Sequence, residues 1–322
     1  MGVNAPVLRG VIPPVCTPRT PGGEVDVESL ARQTARLLAA GVDGVFVCGS
    51  SGEAALLEPA ARLAALDAVV ATVGGSVPVL HGCLDSGARQ VVASARAAFD
   101  HGADAVVVTV PYYVAPSRDE VLAHFEHVAA HAGGPVVAYS IPPATHVPMP
   151  APVAVALARA GTVVGLKDSS GDLAALREVV DGTADLGFPV LTGSETIVDA
   201  AIASGAAGVV PGLSNVDPAG YVELVATVAA GDAAAAAEYQ RRLARLFGLT
   251  RAAAPGRLGV TAVTIGGYKS ALHHLGVFDS PLCFPPLGAL SEADHVAVAA
   301  LVDAYGPRRA AGGAGGGTVS PG

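Results

Sequence analysis

The feature that most constrains the fold is an eightfold alternation of short apolar, β-branched runs with alanine-rich helical stretches. The predicted strands span residues 10–16, 44–48, 77–81, 105–110, 136–140, 163–167, 189–192 and 208–211. Each is followed by a predicted helix, at residues 27–40, 59–73, 86–101, 117–132, 151–160, 172–180, 196–203 and 218–230. Near-continuous apolar strands flanked by amphipathic helices are typical of a parallel sheet buried on both faces. Eight such units in about 225 residues predict an α/β fold, the (β/α)8 TIM barrel, rather than an open doubly wound sheet.

Three further helices are predicted beyond the eighth unit, at residues 232–254, 259–275 and 291–305. We therefore expect a barrel domain at residues 1–230 that carries the active site, followed by a C-terminal helical extension at residues 231–306. The last stretch, residues 307–322, is dominated by glycine and alanine. Because such a segment buries too little apolar surface to offset the entropy of ordering, it is predicted to be a disordered tail.

The composition argues against several classes of function. Although 51% of the residues are hydrophobic, no apolar run approaches the ~18 to 20 residues that span a bilayer, and the first residues lack the pattern of a secretory signal. The net charge of −9 makes nucleic acid an unexpected partner. The four cysteines are scattered, which argues against a zinc site and a disulfide framework: Cys16, Cys48, Cys83 and Cys283. We expect a cytoplasmic protein.

The rarity of lysine makes Lys167 informative. The chain has two lysines and seventeen arginines, so a lysine that survives should be one that arginine cannot replace. A guanidinium stays protonated, whereas a desolvated lysine amine can lose its proton and condense with a carbonyl. Lys167 closes a predicted strand, and this placement indicates imine chemistry. The alternative is a lysine that extends from a strand end to solvent.

Polar residues follow the predicted strands at their carboxyl ends, where the loops of a TIM barrel converge on one mouth. The sequence Gly-Ser-Ser-Gly-Glu follows the second strand at residues 49–53, which we call the 49–53 turn. The other candidates are Tyr112 and Tyr113 after the fourth strand, Tyr139 in the fifth, Lys167 in the sixth, and Gly193, Ser194 and Glu195 after the seventh. We expect these side chains to meet in one cavity, although ordinary packing remains the alternative for any single tyrosine.

Imine chemistry requires a proton-transfer group near the amine and a site for the substrate carboxylate. Tyr139 lies on the strand next to Lys167, so its phenol can serve the first role. Ser50 and Ser51, between two glycines, can offer amides and hydroxyls to an anion such as the carboxylate of a 2-oxo acid. Because the iminium is itself the electron sink, no metal and no cofactor are expected.

Several motifs together resemble the dihydrodipicolinate synthase and N-acetylneuraminate lyase superfamily of class I aldolases. They are the opening GVIPPVCTP, the 49–53 turn GSSGE, the segments PYYVAP and YSIP, the segment GLKDSSGD and the string YKSALHHLGVFDSPLCFPPLGALS. The similarity runs in the expected order from about residue 10 to about residue 302. It implies a (β/α)8 barrel that forms a lysine Schiff base with a pyruvate-like 2-oxo acid and makes or breaks a carbon–carbon bond to an aldehyde.

The resemblance also implies roles for individual residues. Lys167 matches the Schiff-base lysine and Tyr139 the phenol that relays protons. Tyr113 matches a residue that in many members reaches across a tight dimer interface into the neighbouring site, and the implied assembly is a homotetramer, a dimer of dimers. The predicted substrate-binding residues are Ser50 and Ser51 for the carboxylate, Ser169 and Glu195 for the distal part of the substrate, and Gly193 and Val210 at the ends of the last two strands.

The sequence departs from the synthases at one informative position. Dihydrodipicolinate synthases place an arginine five residues after the catalytic tyrosine to bind the carboxylate of aspartate semialdehyde, and here that residue is Ala144. The motifs look closer to 4-hydroxy-2-oxoglutarate aldolases and 2-keto-3-deoxygluconate-type aldolases. His146, where those relatives usually have glycine, is either a pocket residue or a surface histidine. The second lysine, Lys269, is interpreted as structural or as a subunit contact.

Three hypotheses therefore remain at this point. The first is a carbon–carbon lyase, a Schiff-base-dependent aldolase acting on a 2-oxo acid and an aldehyde. The second keeps the imine but ends in a synthase-like condensation or in dehydration of a sugar acid. The third is a catalytically silent barrel that binds a metabolite, which the intact set of Lys167, Tyr139, Ser50 and Ser51 argues against.

Overall fold

The structure, a computed structural model, describes residues 5–306. Its centre is a parallel sheet of eight strands in the order β1-β8-β7-β6-β5-β4-β3-β2. An isolated parallel bridge between Pro14 and Phe46 joins the two ends of this order, so the sheet closes into a barrel. The predicted (β/α)8 fold is confirmed. The strands are β1 Gly10–Val11, β2 Val45–Val47, β3 Val79–Cys83, β4 Ala105–Thr109, β5 Val136–Ser140, β6 Gly165–Asp168, β7 Val190–Thr192 and β8 Gly208–Val209.

Twelve α-helices occur within residues 5–306. Eight of them follow the strands in alternation: α1 Val27–Ala39, α2 Pro59–Val73, α3 Ala88–Asp100, α4 Arg118–His131, α6 Ala151–Arg159, α7 Leu173–Gly182, α8 Val198–Ala203 and α9 Pro218–Ala229. A one-turn helix, α5 Pro142–Thr145, lies between β5 and α6. Three more helices follow the eighth unit: α10 Ala233–Leu246, α11 Val260–His274 and α12 Glu292–Tyr305.

The structure corrects several predicted boundaries. The first strand is predicted at residues 10–16 but pairs only at Gly10–Val11, because Pro13 and Pro14 follow and proline cannot donate to a ladder. Asp168 is the last residue of β6, not the first residue of the following turn. The helix α5 was not predicted, and two prolines in its first turn help to start it. The predicted helix at residues 232–254 ends at Leu246 and continues as a 3₁₀ helix, Phe247–Arg251.

The strands are buried on both faces, as their continuous apolar character predicts. Every residue of β3, β4, β5 and β6 is buried. In β4 the sequence Ala-Val-Val-Val-Thr leaves no polar alternation, because one face of the strand lines the barrel interior and the other packs against helices. Burial of this apolar surface contributes roughly 25 cal/mol per Å² and holds the strand ends in fixed positions.

The C-terminal helices pack on the barrel and reach its mouth. The helix α10 contacts α8 and α9, and α11 contacts the 3₁₀ helix Gly212–Asn215, which directly follows β8. The predicted boundary at residues 230 and 231 falls in the turn between α9 and α10, and the division into two domains stays a prediction. The predicted tail at residues 307–322 lies outside the described residues. Over residues 5–306, each helix is too short or too polar to traverse a bilayer.

Candidate active site

A cavity of about 600 Å³ opens at the carboxyl ends of the strands. It brings together eight of the nine predicted site residues: Ser50, Ser51, Tyr139, Lys167, Ser169, Gly193, Glu195 and Val210. These residues come from five different strand ends or the loops after them, so they converge only because the barrel closes. The ninth, Tyr113, is not among the residues that line this cavity.

Lys167 extends from β6 into this cavity. It is only 4% exposed, and in the ladder it pairs with Tyr139 of β5. Its Nζ atom lies 4.1 Å from the centroid of the Tyr139 ring and 4.8 Å from that of Phe46. No carboxylate lies within ion-pairing distance of this amine among residues 5–306. The amine is therefore sheltered by aromatic rings, and no ion pair has to break before it can react.

The Tyr139 hydroxyl lies at the junction of two serine hydroxyls. Its oxygen is 3.5 Å from Ser50 Oγ and 3.5 Å from Ser169 Oγ. The ring packs edge-on against Phe46, with centroids 6.5 Å apart. Both oxygen–oxygen distances are at the long limit for hydrogen bonds. The phenol thus connects the 49–53 turn with the segment after β6 and retains hydrogen-bonding capacity for a bound molecule.

The 49–53 turn follows β2 and is folded tightly on itself. The Glu53 amide donates to the Ser50 carbonyl at 3.1 Å, and the Ala54 amide donates to the Gly49 carbonyl at 3.2 Å. Gly49 is required because a Cβ atom there would lie 2.7 Å from the Phe46 ring. The turn places Ser50 and Ser51 at the cavity with their hydroxyls on its wall, a geometry suited to an anion.

The loops after β7 and β8 close the opposite wall of the cavity. A Cβ atom on Gly193 would lie 2.1 Å from Ser169 Oγ and 3.1 Å from Lys167 Cε, so only glycine allows these side chains to approach. Glu195 accepts hydrogen bonds from the Gly212 amide at 2.9 Å and from the Tyr268 hydroxyl at 3.1 Å. Burial raises the pKa of the Glu195 carboxyl despite these two donors.

Tyr113 and His146 lie outside the cavity. The Tyr113 side chain is 99% exposed, and its φ of 70° places a bulky residue in the left-handed region, at a cost of roughly 1 to 3 kcal/mol. The structure therefore does not bring Tyr113 into the site of its own chain. His146 is exposed and ends α5 in a left-handed conformation. Of the two interpretations of His146, the structure supports the surface histidine.

The sequence reasoning missed the contribution of α11. This helix lines the cavity with Val260, Thr261, Thr264, Ile265 and Tyr268. The spacing of these residues places them on one face of a helix, and this spacing was the available signal. The sequence predicts only that a helical extension follows the barrel, because no sequence pattern shows which way α11 crosses the mouth.

Charge is sparse in the cavity. Lys167 is its only lysine or arginine and Glu195 its only acid among the described lining residues. Ala144, at the position where the synthase pattern expects arginine, lines the wall. A second, mostly apolar cavity of about 260 Å³ shares five lining residues with the first: Ser50, Ile141, Ala144, Thr261 and Ile265. Glu53 is the one acid among its described lining residues. Thr109 also lines this second cavity, and its buried hydroxyl has no hydrogen-bond partner in the described part of the chain.

The described residues contain no group of three or more histidine, cysteine and acidic side chains placed to hold a metal ion. The four cysteines are free and buried. Burial raises the pKa of Cys48, Cys83 and Cys283 to about 12. These thiols are therefore packing groups and not nucleophiles.

Comparisons with known proteins agree with this geometry. The profile of the Dihydrodipicolinate synthetase family matches residues 7–305. A 4-hydroxy-tetrahydrodipicolinate synthase of Methanospirillum hungatei is 33% identical over 75% of this chain and 83% of its own length. An uncharacterized DapA-like lyase of Halobacterium salinarum is 36% identical over 83% of this chain and 89% of its own length.

Among solved structures, the prophage protein YagE of E. coli K12, of the dihydrodipicolinic acid synthase family and in complex with pyruvate, superposes with a TM-score of 0.86. It is 29% identical, and the match covers 93% of this chain and 99% of YagE. The predicted superfamily and the predicted enzyme class, a carbon–carbon lyase, are confirmed. With its eight-stranded barrel, a lysine and a tyrosine paired at the mouth, and a profile match over nearly its whole length, this chain belongs to the dihydrodipicolinate synthetase family.

Proposed function

We propose that the protein is a class I aldolase in which Lys167 forms a Schiff base with a pyruvate-like 2-oxo acid and a carbon–carbon bond to an aldehyde is cleaved or formed. The observation that carries this proposal is the position of the Lys167 amine. It lies in the cavity, beside the Tyr139 ring, and without an ion-pair partner in the described chain. A barrel that only binds a metabolite does not require an unpaired lysine amine beside a tyrosine ring.

The chemistry assigns one role to each group. In cleavage, the neutral Lys167 amine adds to the keto carbon, and loss of water gives an iminium. A base removes the proton of the substrate hydroxyl, the adjacent carbon–carbon bond breaks, and its electron pair moves into the iminium to give an enamine and an aldehyde. Protonation of the enamine and addition of water then release the 2-oxo acid and the amine. The Tyr139 hydroxyl, with Ser50 and Ser169 within reach, is suited to move these protons.

Ser50 and Ser51 are proposed to hold the carboxylate of the 2-oxo acid. In support, both line the cavity with Lys167, and the 49–53 turn presents hydroxyls and backbone amides together. YagE, the structural relative described above, is a complex with pyruvate. Ser169, Gly193, Glu195 and Val210 are proposed to contact the remainder of the substrate.

The sparse charge of the cavity favours the aldolase over a synthase-like condensation. A carboxylate on the aldehyde would need a second cation, and the described lining offers only Lys167, which is already committed to the imine. We therefore propose an uncharged aldehyde. Of the relatives described above, one is named a 4-hydroxy-tetrahydrodipicolinate synthase and the other an uncharacterized DapA-like lyase. The distinction between aldolase and synthase therefore depends on Ala144 and its surroundings.

We also propose a homotetramer, a dimer of dimers, in which Tyr113 enters the site of a neighbouring subunit. Tyr113 is exposed and strained, and Val114 beside it is 56% exposed, as expected for a loop that another surface covers. The second cavity is mostly apolar, with Tyr112 and Thr145 among its polar lining residues, which suits a tyrosine side chain. Light scattering tests the mass, and Tyr113→Ala should reduce both association and turnover. A monomer with full activity would contradict this assignment.

We propose a cytoplasmic enzyme with a barrel at residues 1–230 and an extension at residues 231–306. Four free, buried cysteines fit a reducing compartment. The extension supplies one wall of the cavity through α11. A chain truncated after residue 230 should therefore lose activity even where the barrel folds, and an active truncated barrel would contradict this role.

The proposed function is tested by trapping the imine. The protein is treated with borohydride with and without pyruvate, and the intact mass and then the modified peptide are measured. We expect a pyruvate-dependent adduct on Lys167. Lys269 is an internal control, because it is fully buried in an ion pair, and Lys167→Arg is the matched variant. Lack of an adduct with any 2-oxo acid would refute the aldolase and favour the silent barrel.

A further inference from the structure

The second lysine of the chain lies at the centre of a buried polar contact behind the 49–53 turn. Lys269 belongs to α11, and its side chain is fully buried. Its Nζ atom forms an ion pair with Glu53 and donates to the Leu282 carbonyl at 3.0 Å. The same atom lies 5.0 Å from the centroid of the Phe284 ring. A side chain buried within its own chain cannot be the subunit contact that was one interpretation of Lys269.

Glu53 connects this lysine to the 49–53 turn. It is the last residue of that turn, and its amide donates to the Ser50 carbonyl. One carboxylate oxygen accepts from the Phe284 amide at 2.7 Å, and the other contacts Lys269. Glu53 has a φ of 57°, a left-handed conformation that a residue with a side chain keeps only when its surroundings hold it. The Glu53 carboxylate thus connects the 49–53 turn to the C-terminal extension.

Tyr268, which precedes Lys269 in α11, makes a similar contact on the other side of the cavity mouth. Tyr268 donates to Glu195, which also accepts from the Gly212 amide. A Cβ atom on Gly212 would lie 2.7 Å from the Tyr268 ring and 3.1 Å from Ser51 Oγ, so ring, turn and loop are closely packed. Two consecutive residues of one helix therefore hold the loops after β2 and β7.

The ion pair between Glu53 and Lys269 also sets the net charge behind the 49–53 turn. Glu53 lies three residues after Ser50, behind a turn proposed to bind a carboxylate. A buried negative charge at that position would weaken anion binding, because charges are poorly screened where water is excluded. The Lys269 ammonium neutralises it. A compact ammonium with three donors suits the Glu53 carboxylate and the Leu282 carbonyl.

We propose that Glu53 and Lys269 are positioning residues for catalysis: their buried ion pair holds the 49–53 turn in its carboxylate-binding conformation and cancels the charge behind it. This inference rests on the proposed function. Neither residue touches the substrate in this scheme. Glu53 and Lys269 act by positioning Ser50 and Ser51. Through this ion pair the C-terminal extension contributes to the active site.

Three variants test this inference: Glu53→Gln, Lys269→Met, and the double variant that removes both charges. Leu243→Ala is the matched control, since Leu243 is buried in α10 of the same extension and is not a cavity residue. The two readouts are the melting temperature and the pyruvate concentration that gives half-maximal borohydride trapping at Lys167. If the ion pair were purely structural, its loss would change the melting temperature but not the half-maximal pyruvate concentration.

For Lys269→Met, which leaves the Glu53 charge uncompensated, we expect the half-maximal pyruvate concentration to rise roughly tenfold to a hundredfold, with trapping still complete at saturation. Glu53→Gln also loses the ion pair but leaves an ammonium that favours an anion, so its rise should be smaller but still more than twofold. The double variant should lie between Lys269→Met and the wild type, because the charge balance is restored while the ion pair is lost. Leu243→Ala should lower the melting temperature and leave the pyruvate concentration unchanged.

Values within twofold of the wild type in the folded variants would overturn the inference while leaving the aldolase in place. If the single variants do not fold, the same twofold criterion is applied to the double variant. A wild-type protein that forms no adduct would overturn the proposed function and this inference with it, so the two failures are distinguishable.

Discussion

Replacing Tyr139 by phenylalanine should separate catalysis from stability. The substitution removes one oxygen and leaves the ring that packs beside Lys167 and against Phe46. The lost contacts are two oxygen–oxygen distances of 3.5 Å, to Ser50 and to Ser169. Ordinary hydrogen bonds contribute about 0.5 to 1.5 kcal/mol each, and contacts this long contribute less. We therefore expect the free energy of unfolding to change by less than about 1 kcal/mol.

Turnover should change far more. If Tyr139 carries protons during imine formation and bond cleavage, its loss should lower kcat by about 10²-fold or more, the usual scale for a lost general acid–base group. A hundredfold loss corresponds to about 2.7 kcal/mol of transition-state free energy. The expected cost in catalysis is thus several times the expected cost in stability.

Steady-state kinetics with pyruvate and an uncharged aldehyde, together with chemical denaturation, measure both quantities. Tyr221→Phe is the matched control, because the Tyr221 hydroxyl is fully buried, lies outside the cavity and has no hydrogen-bond partner in the described chain. It should leave kcat unchanged. Parental turnover in Tyr139→Phe would remove the phenol from the mechanism, and an equal loss in both variants would show a general effect of core packing.

Three further predictions follow from single residues. Lys167→Arg should keep the positive charge but abolish both turnover and the pyruvate adduct; measurable turnover would disprove the assignment. Ala144→Arg should raise kcat/KM for carboxylated aldehydes such as aspartate semialdehyde roughly tenfold or more relative to uncharged ones, since it restores a partner for the carboxylate; an unchanged ratio would contradict the charge argument. Burial lowers the pKa of His81 to about 4, from about 6.5 for an exposed histidine. The unfolded chain therefore takes up a proton between pH 6.5 and 4 that the folded chain does not, and stability should fall by roughly 3 kcal/mol as the pH falls through that window. Denaturation of His81→Gln should show a smaller dependence, and an identical profile would exclude His81 as the cause.

The fold was predictable because its signal is repeated along the chain. Each strand is a continuous apolar run, and burial on both faces requires that character, so eight runs indicate the barrel even where individual boundaries were wrong. The errors fall where local chemistry overrides the pattern, as at Pro13 and Pro14, which end the β1 ladder. The placement of Lys167 and Tyr139 in one cavity could be predicted because they stand at the ends of neighbouring strands.

Residues that act through contacts distant in sequence could not be identified in this way. Lys269 is 216 positions from Glu53 in the chain, and nothing in either neighbourhood indicates that they form a buried ion pair. The place of Thr261 and Thr264 on the cavity wall likewise depends on how α11 crosses the mouth. Tyr113 carried a family resemblance to a catalytic position, yet within one chain it lies exposed to solvent.

The sequence by itself determined the succession of strands and helices and indicated Lys167 as the candidate amine, because hydrophobic periodicity and residue chemistry are local properties. Only the tertiary structure decided which groups surround that amine, how few charges share its cavity, and that the C-terminal extension supplies one of its walls. Closure of the barrel and the packing of α11 bring these residues together. That packing depends on side-chain shape across the whole core, which no single segment of the chain encodes.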